Sequence, residues 1–252
     1  MGTDEHNDAN PKPDISIIIP AYNEESRLAK TLDDILQYLA ERKERFEVIV
    51  VDDGSADKTA SVALQYEEKT KGVVRMLTYP ANRGKGYAVK FGMTNGQGNL
   101  LLYNDADGAT PIREIERLEN AIAQGADIAI GSRAAFSRDT SVKTVWYRKF
   151  MGRSFNSIVN FLLLPGVMDT QCGFKMFKRH AAAEVFGKQK AERFSFDVEL
   201  LFLARKAGFT VAEVPVNWTN IPGSKVNLVS DSFAMFCDLL RFRLRDLFGV
   251  YR

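Results

Sequence analysis

Short apolar runs separated by amphipathic stretches constrain this chain more than any single residue does. Segments 15–19, 46–51, 73–78, 99–103 and 128–130 are each a few residues long and close to continuously apolar. A strand with one face in water alternates, so continuous runs of this length predict strands covered on both faces. Between the first two, Leu28, Leu32, Ile35, Leu36 and Leu39 recur at helical spacing, predicting a helix over 24–43. Further helices are expected up to about Thr70, with Asp57 as its cap, and over 84–94. The alternation implies an α/β, Rossmann-like, mostly parallel sheet with helices on both faces, and such sheets bind ligands beyond the carboxyl ends of their strands.

The second half departs from this pattern. Tyr147, Met151, Phe155, Ile158, Val159 and Leu162 follow helical spacing in an amphipathic segment over about 145–164. A strand near 174–177, helices near 180–187 and 197–207, and a strand over 211–218 follow. Pro215 argues that this last strand lies at an edge. A final amphipathic helix is expected over about 231–248, where Phe233, Phe236, Leu240, Leu244 and Leu247 share a face beside Arg241, Arg243 and Arg245. The expected division is a disordered tail over 1–13, one domain over 14–230 and a C-terminal amphipathic helix over 231–252.

With 252 residues, 45% of them hydrophobic, the chain can bury a core without disulfides or structural metal. Cys172 and Cys237 make no disulfide framework and fit a reducing compartment. A formal net charge of +2 carries no nucleic-acid signature, and no nucleic-acid partner is expected. No apolar stretch approaches the roughly 20 residues of a spanning helix.

Chemistry concentrates at three predicted strand ends. Asn104-Asp105-Ala106-Asp107-Gly108 places two carboxylates one residue apart on a turn, an oxygen-rich setting suited to Mg²⁺ or Mn²⁺. Asp52-Asp53-Gly54-Ser55 offers a carboxylate to a base edge or ribose hydroxyl, and Pro20-Ala21-Tyr22-Asn23-Glu24 an aromatic face and a carboxylate. Asn82-Arg83-Gly84-Lys85-Gly86 adds positive charge near a helix start, where anions are favoured. Neither the P-loop nor the dinucleotide glycine pattern is present.

Together, Ser16 to Glu24, Val50 to Asp57 and Asp105-Ala106-Asp107-Gly108 resemble the family 2 inverting glycosyltransferases of the GT-A fold. Gly131-Ser132-Arg133, Asp169-Thr170-Gln171-Cys172-Gly173-Phe174-Lys175 and Trp218 to Lys225 resemble its polyprenyl-phosphate branch, most closely the dolichyl-phosphate β-glucosyltransferases. The resemblance implies that Pro20, Tyr22, Glu24, Asp53 and Lys85, with Asp52 and Ala106 beside them, meet a nucleotide-sugar donor, UDP-glucose. It implies that Asp105 and Asp107 hold the metal and diphosphate. It also implies that Arg133, Arg148, Ser224 and Lys225 meet a polyprenyl (dolichyl) phosphate acceptor, and that Asp169 lies near the reacting centre. Two departures from related mannosyl enzymes favour the glucosyl branch. Ala109 stands where they have a Gln, and Trp218-Thr219-Asn220 where they have an Arg.

A lipid phosphate is largely dianionic at neutral pH and needs little help from a base. A hydroxyl acceptor would need one, and Asp169 and Asp197 are the candidates, Asp197 being equally readable as a helix cap. The apolar faces flanked by arginines suit a membrane surface, implying a peripheral protein on the cytoplasmic face. The same stripes would serve packing on the sheet or a homo-oligomer. The rival functions are a family enzyme acting on a saccharide hydroxyl and a catalytically silent nucleotide-sugar-binding domain.

Overall fold

The computed structural model describes residues 12–144, 146–221 and 230–251, the side chains of 146–150 and 230 excepted. The greater part of the expected tail, and the expected phosphate contacts Ser224 and Lys225, lie outside the described residues.

Strand β1 (Ile15–Ala21) leads to helix α1 (Leu28–Ala40), and β2 (Phe46–Asp52) to α2 (Thr59–Thr70). Next come β3 (Val74–Thr78), α3 (Lys85–Asn95), β4 (Leu100–Asn104), α4 (Ile115–Ala123) and β5 (Ile128–Ser132). The second half contains β6 (Val142–Lys143), α5 (Trp146–Leu162), β7 (Phe174–Lys178), α6 (Arg179–Lys188) and α7 (Phe196–Lys206). It ends with β8 (Val211–Pro215), β9 (Trp218–Thr219) and α8 (Ser230–Leu247).

Seven strands form one sheet in the order β3-β2-β1-β4-β7-β5-β8. All its pairings are parallel except those of β7, which runs antiparallel to both β4 and β5. As Pro215 requires, β8 is an edge strand. A second two-stranded sheet pairs β6 with β9.

The continuous apolar strands are explained by cores on both faces. Along β1, Ile17 and Ile19 face one cluster with Leu28, Leu32 and Ile35 of α1, while Ile18 faces the other with Val89 and Met93 of α3. The second cluster extends to α6 and α7 and includes Leu239, Phe242 and Tyr251 from the C-terminal region. That region is thus built into the main core. α5 and α8 touch one another, and Arg243 Nε donates to the carbonyl of Leu162 at 2.8 Å.

Several elements differ from expectation: the strand expected over 211–218 is split between β8 and β9, and β6, α1 and α4 also depart from it. α1 starts at Leu28 because the chain before it is tied across to the 52–59 loop. The amide of Asn23, in the left-handed region at φ 53°, donates to Ser55 Oγ, and its side-chain Oδ1 accepts from the amide of Ala56. The amide of Glu24 donates to Thr59 Oγ1 at 2.7 Å. The segment between Gly108 and β5, to which sequence assigned no element, forms a 3₁₀ turn at Ile112–Glu114 and then α4, whose Ile115, Leu118 and Ile122 are buried.

Helix α3 lies unusually close to the sheet at Gly92. A Cβ there would overlap Ile18 Cγ2 and stand 2.9 Å from Val51 Cγ2, both in the rigid core. Gly92→Ala is expected to lower the melting temperature, because overpacking by about 1–3 kcal/mol exceeds the roughly 1 kcal/mol gain in helix propensity. Gly152→Ala in α5, where nothing lies within 4 Å, should hold or raise it. Thermal denaturation of the two variants checks the contrast, and equal shifts would contradict this packing.

Candidate active site

The carboxyl ends of β1, β2 and β4 bring the three loops to one rim, as the alternation of elements requires. The reversed direction of β7 adds a segment that no parallel strand would deliver. Residues leading into β7 arrive beside the end of β4, and the amide of Asp105 donates to the carbonyl of Gly173 at 3.2 Å.

At the first two loops most carboxylates are occupied by the protein itself. Asp53 accepts from Tyr79 Oη and the amide of Arg83 at 2.8 Å, from Asn82 Nδ2 at 2.8 Å and from the amide of Gly84 at 2.9 Å. The carboxylate is buried, and its hydrogen bonds organise the loop leading to Lys85. Asp52, also buried, accepts from the amide of Ser55 at 3.2 Å. Glu24 is gripped by both arms of Arg27 at 2.5 and 2.6 Å. Pro20 and Ala106 are buried, whereas Tyr22 exposes its ring at the rim.

The Asp105–Asp107 turn is closed by Gly108 at φ 69° and anchored by Thr31 Oγ1, which donates to the carbonyl of Ala106 at 2.8 Å. Lys85 Nζ lies 2.6 Å from Asp105 Oδ1, an oxygen that otherwise meets no hydrogen-bond donor among the described residues. Burial works against the charged form of Lys85, but Asp105 and then Asp197 outweigh it and raise its pKa. The pKa of Asp107 is also raised, by burial first and by the charge of Asp105 second. Two carboxylates that disfavour one another, one with an oxygen met only by the ammonium of Lys85, make a donor set that fits a hard divalent cation. Among the described residues no third acidic, His or Cys side chain joins them, so a bound cation would complete its shell from diphosphate or water.

Behind this pair lies a group that sequence reasoning missed. Lys175 on β7 is fully buried, with Nζ 2.5 Å from Asp197 Oδ1 and 2.6 Å from the carbonyl of Cys172. Tyr103 Oη donates to the same Asp197 oxygen. Asp197 is therefore engaged by two side chains and caps no helix amide. The available signal was a lysine placed between Phe174 and Met176 in a predicted strand.

On the other side of Gly173, Arg133 at the end of β5 holds Asp169. The amide and Nε of Arg133 donate to Oδ2 at 2.9 and 2.7 Å, and its Nη2 donates to Oδ1 at 2.8 Å. Its guanidinium also sits 5.4 Å from the ring of Trp218. Burial raises the pKa of Asp169, but Arg133 outweighs it and brings the carboxyl down to about 2. Such a carboxylate is a weak base. Burial pushes the thiol of Cys172 up to about 12, so it behaves as an inert core group. Arg148 belongs to α5, but its side chain lies outside the described residues.

An apolar surface runs over α5 and α8. Phe161 is 88% exposed, Phe233 71% and Leu247 77%, with Ile158, Phe236, Leu240 and Leu244 also open. Among the described residues no helix is long and apolar enough to cross a membrane.

Comparison with known proteins finds similarity over most of the chain. Residues 16–186 fit the family described as Glycosyl transferase family 2. The chain is 42% identical to the dolichyl-phosphate beta-glucosyltransferase of Mus musculus, across 96% of this chain and 79% of that one. Identity to the Saccharomyces cerevisiae dolichyl-phosphate beta-glucosyltransferase is 35%, with 94% and 76% covered. Among solved structures, glucosyl-3-phosphoglycerate synthase from Mycobacterium tuberculosis in complex with Mn²⁺, UDP-glucose and phosphoglyceric acid aligns with a TM-score of 0.70. It covers 91% of this chain and 79% of that one, at 18% identity. The same enzyme with Mg²⁺ and UDP aligns with a TM-score of 0.68 over 91% and 79%, at 19% identity. These structures share the fold.

The Arg133–Asp169 pair has a pH signature. Asp169 titrates near 2 when folded against about 4 when unfolded, so its contribution is present above about pH 4 and is lost as pH falls toward 2. Arg133→Met leaves a buried carboxylate without its cation and is expected to cost on the order of 3 kcal/mol at pH 7. Denaturant titrations of both proteins at several pH values should show the deficit shrinking on acidification. A deficit independent of pH would contradict the pairing.

Proposed function

Because the chain belongs to glycosyltransferase family 2, we propose that it transfers glucose from UDP-glucose to dolichyl phosphate or a similar polyprenyl phosphate. Inversion at the anomeric carbon would leave a β-linked lipid-phosphate sugar. Identity to dolichyl-phosphate beta-glucosyltransferases along nearly the whole chain supports the substrate pair. The observation that carries the reading is the meeting, across the 169–173 segment, of an acidic pair fit for a cation with a guanidinium fit for a phosphate.

On this reading Tyr22 lies against the nucleotide, and Asp53 acts indirectly by shaping the loop that presents Lys85. Lys85 would turn from Asp105 to the donor's diphosphate. Asp105 and Asp107 would hold Mg²⁺ or Mn²⁺, whose charge would offset that gathering on the leaving diphosphate. Arg133, aimed by Asp169 and backed by Trp218, would receive the acceptor phosphate together with Arg148, Ser224 and Lys225.

The state of the two other candidate carboxylates favours a phosphate acceptor over a hydroxyl. Asp169 is held by Arg133, and Asp197 by Lys175 and Tyr103. Neither is poised as a general base, which a hydroxyl nucleophile requires and a phosphate dianion does not. What remains for the protein is to position the reactants and screen their charges. The exposed stripe on α5 and α8, with Arg241 and Arg243 beside it, would rest on the membrane holding the lipid. Two free cysteines suit the cytoplasmic face.

Incubation with UDP-glucose, a short polyprenyl phosphate and Mn²⁺ should yield a lipid-linked sugar, identified by mass spectrometry with its anomeric configuration from NMR. Asp107→Ala should lower kcat/KM by about two orders of magnitude or more while retaining the fold. Transfer confined to hydroxyl acceptors would overturn the acceptor assignment, and full activity of Asp107→Ala under chelation would overturn the metal assignment. Separately, Phe161→Asp with Leu244→Asp should abolish co-sedimentation with anionic phospholipid vesicles. Activity on a short acceptor in detergent should persist, and unchanged vesicle binding would overturn the membrane surface.

A further inference from the structure

Gly173 sits where the segment entering β7 passes the end of β4. Its φ lies outside the left-handed region, so the backbone conformation there does not call for glycine. The reason for glycine is steric and comes from one neighbour. A Cβ built on Gly173 would overlap Oδ1, Oδ2 and Cγ of Asp105, and those three are its nearest heavy atoms. The Asp105 carboxylate therefore lies flat against the Cα of Gly173.

We propose that Gly173 is a positioning residue that forms the floor of the cation site. Its missing side chain lets the Asp105 carboxylate lie in the slot between β7 and Lys85. Its carbonyl, accepting the amide of Asp105 at 3.2 Å, fixes the turn from which that carboxylate projects. The floor cannot retreat easily, because the chain on either side is anchored. The carbonyl of Cys172 accepts from Lys175 Nζ at 2.6 Å, and Phe174 is wholly buried in β7. The flexible partner is the Asp105 side chain, so an added methyl group moves the carboxylate. Lys85 Nζ, 2.6 Å from Asp105 Oδ1, marks where positive charge is received while the carboxylate lies on this floor. A cation held jointly with Asp107 needs the two carboxylates in fixed relation, and a displacement of about an ångström at one ligand is enough to spoil it.

The inference rests on the reading of Asp105 and Asp107 as cation ligands, and the experiment separates the two. Mn²⁺ binding in the presence of UDP is followed by electron paramagnetic resonance, and UDP binding in EDTA by calorimetry. Gly173→Ala should weaken Mn²⁺ binding at least about tenfold and leave metal-free UDP binding within about twofold. A double-mutant cycle on melting temperature tests the contact without any ligand. Gly173→Ala should lower the melting temperature of the native chain by several degrees but leave that of Asp105→Ala unchanged, because the group it strikes has been removed. Loss of Mn²⁺ in Asp107→Ala with unchanged Mn²⁺ binding in Gly173→Ala would overturn the role of Gly173 alone. Retention of Mn²⁺ in both would overturn the cation reading. An equal melting-temperature drop in both backgrounds would show general strain and overturn the floor. If Gly173→Ala fails to fold, Gly173→Ala/Asp105→Ala must fold for the proposal to stand.

Discussion

Strand β7 runs against β4 and β5, its neighbours on either side, and that reversal decides what chemistry can meet at the rim. A parallel strand contributes to the ligand-binding edge only the residues that follow it. A reversed strand contributes those that precede it, so Asp169 to Gly173 arrive between the ends of β4 and β5. The reversal is secured by ladders on both sides and by a buried ion pair beneath the rim. Removing the Lys175 ammonium from water carries a penalty of several kcal/mol. Asp197, the Cys172 carbonyl and the ring of Tyr103, 5.4 Å away, offset it. Because these partners come from α7, from the loop before β7 and from β4, the pair locks three elements in one register.

The charges at the rim follow a simple order. Glu24 has Arg27, Asp169 has Arg133, Asp197 has Lys175, and Asp105 has Lys85. Among the described residues Asp107 has no cation within ion-pair distance. It is stabilised by the amide of Ala109 at 3.0 Å and destabilised by burial and by Asp105. Among the same residues Asp52 and Asp53 also lack a cation but are held by neutral donors, which leaves Asp107 the least compensated carboxylate, beside a second whose partner is a flexible lysine. That is where an added cation gains most. Arg133 is already paired with Asp169, so on the proposed reading it presents to an acceptor phosphate a directed donor fork more than a free charge.

The sequence made the sheet legible because its signal is local: continuous apolar strands, amphipathic helices and a proline marking the edge. It made the Asp105–Asp107 turn legible through residue type and strand placement, whereas Arg133 was pointed to by family resemblance. Burial and partnership were not legible. Asp53, Asp52 and Glu24 read as carboxylates offered to a ligand, yet their oxygens are taken by groups 3 to 31 residues away in sequence. Asp197 was ambiguous between cap and catalyst because its partners, Tyr103 and Lys175, are distant in sequence. Only the packed sheet brings them together. The role of Gly173 was hidden for a different reason: a missing side chain announces itself only when its neighbour's position is known.

Helix α8 illustrates how an apolar stripe acquires a fixed place relative to a site. A helix held only by its own stripe could shift relative to the site. Here Asp238 accepts from Ser195 Oγ at 2.6 Å, and Leu239, Phe242 and Tyr251 enter the main core. Tyr251 Oη donates to the buried Glu199, whose other oxygen accepts from the amides of Lys190 and Ala191 at 2.9 and 2.6 Å. That same loop accepts the amide of Tyr87 on the carbonyl of Glu192 at 3.0 Å, and Gln189 reaches the carbonyl of Gly86 at 2.9 Å. The exposed face of α8 and the loop presenting Lys85 therefore belong to one packed body. On the proposed reading a lipid phosphate must reach Arg133 while its chain stays in apolar surroundings. A surface that keeps its relation to the donor loop meets that demand without a hinge motion, so the entropy of orienting the two substrates is lost largely in folding and not at each turnover.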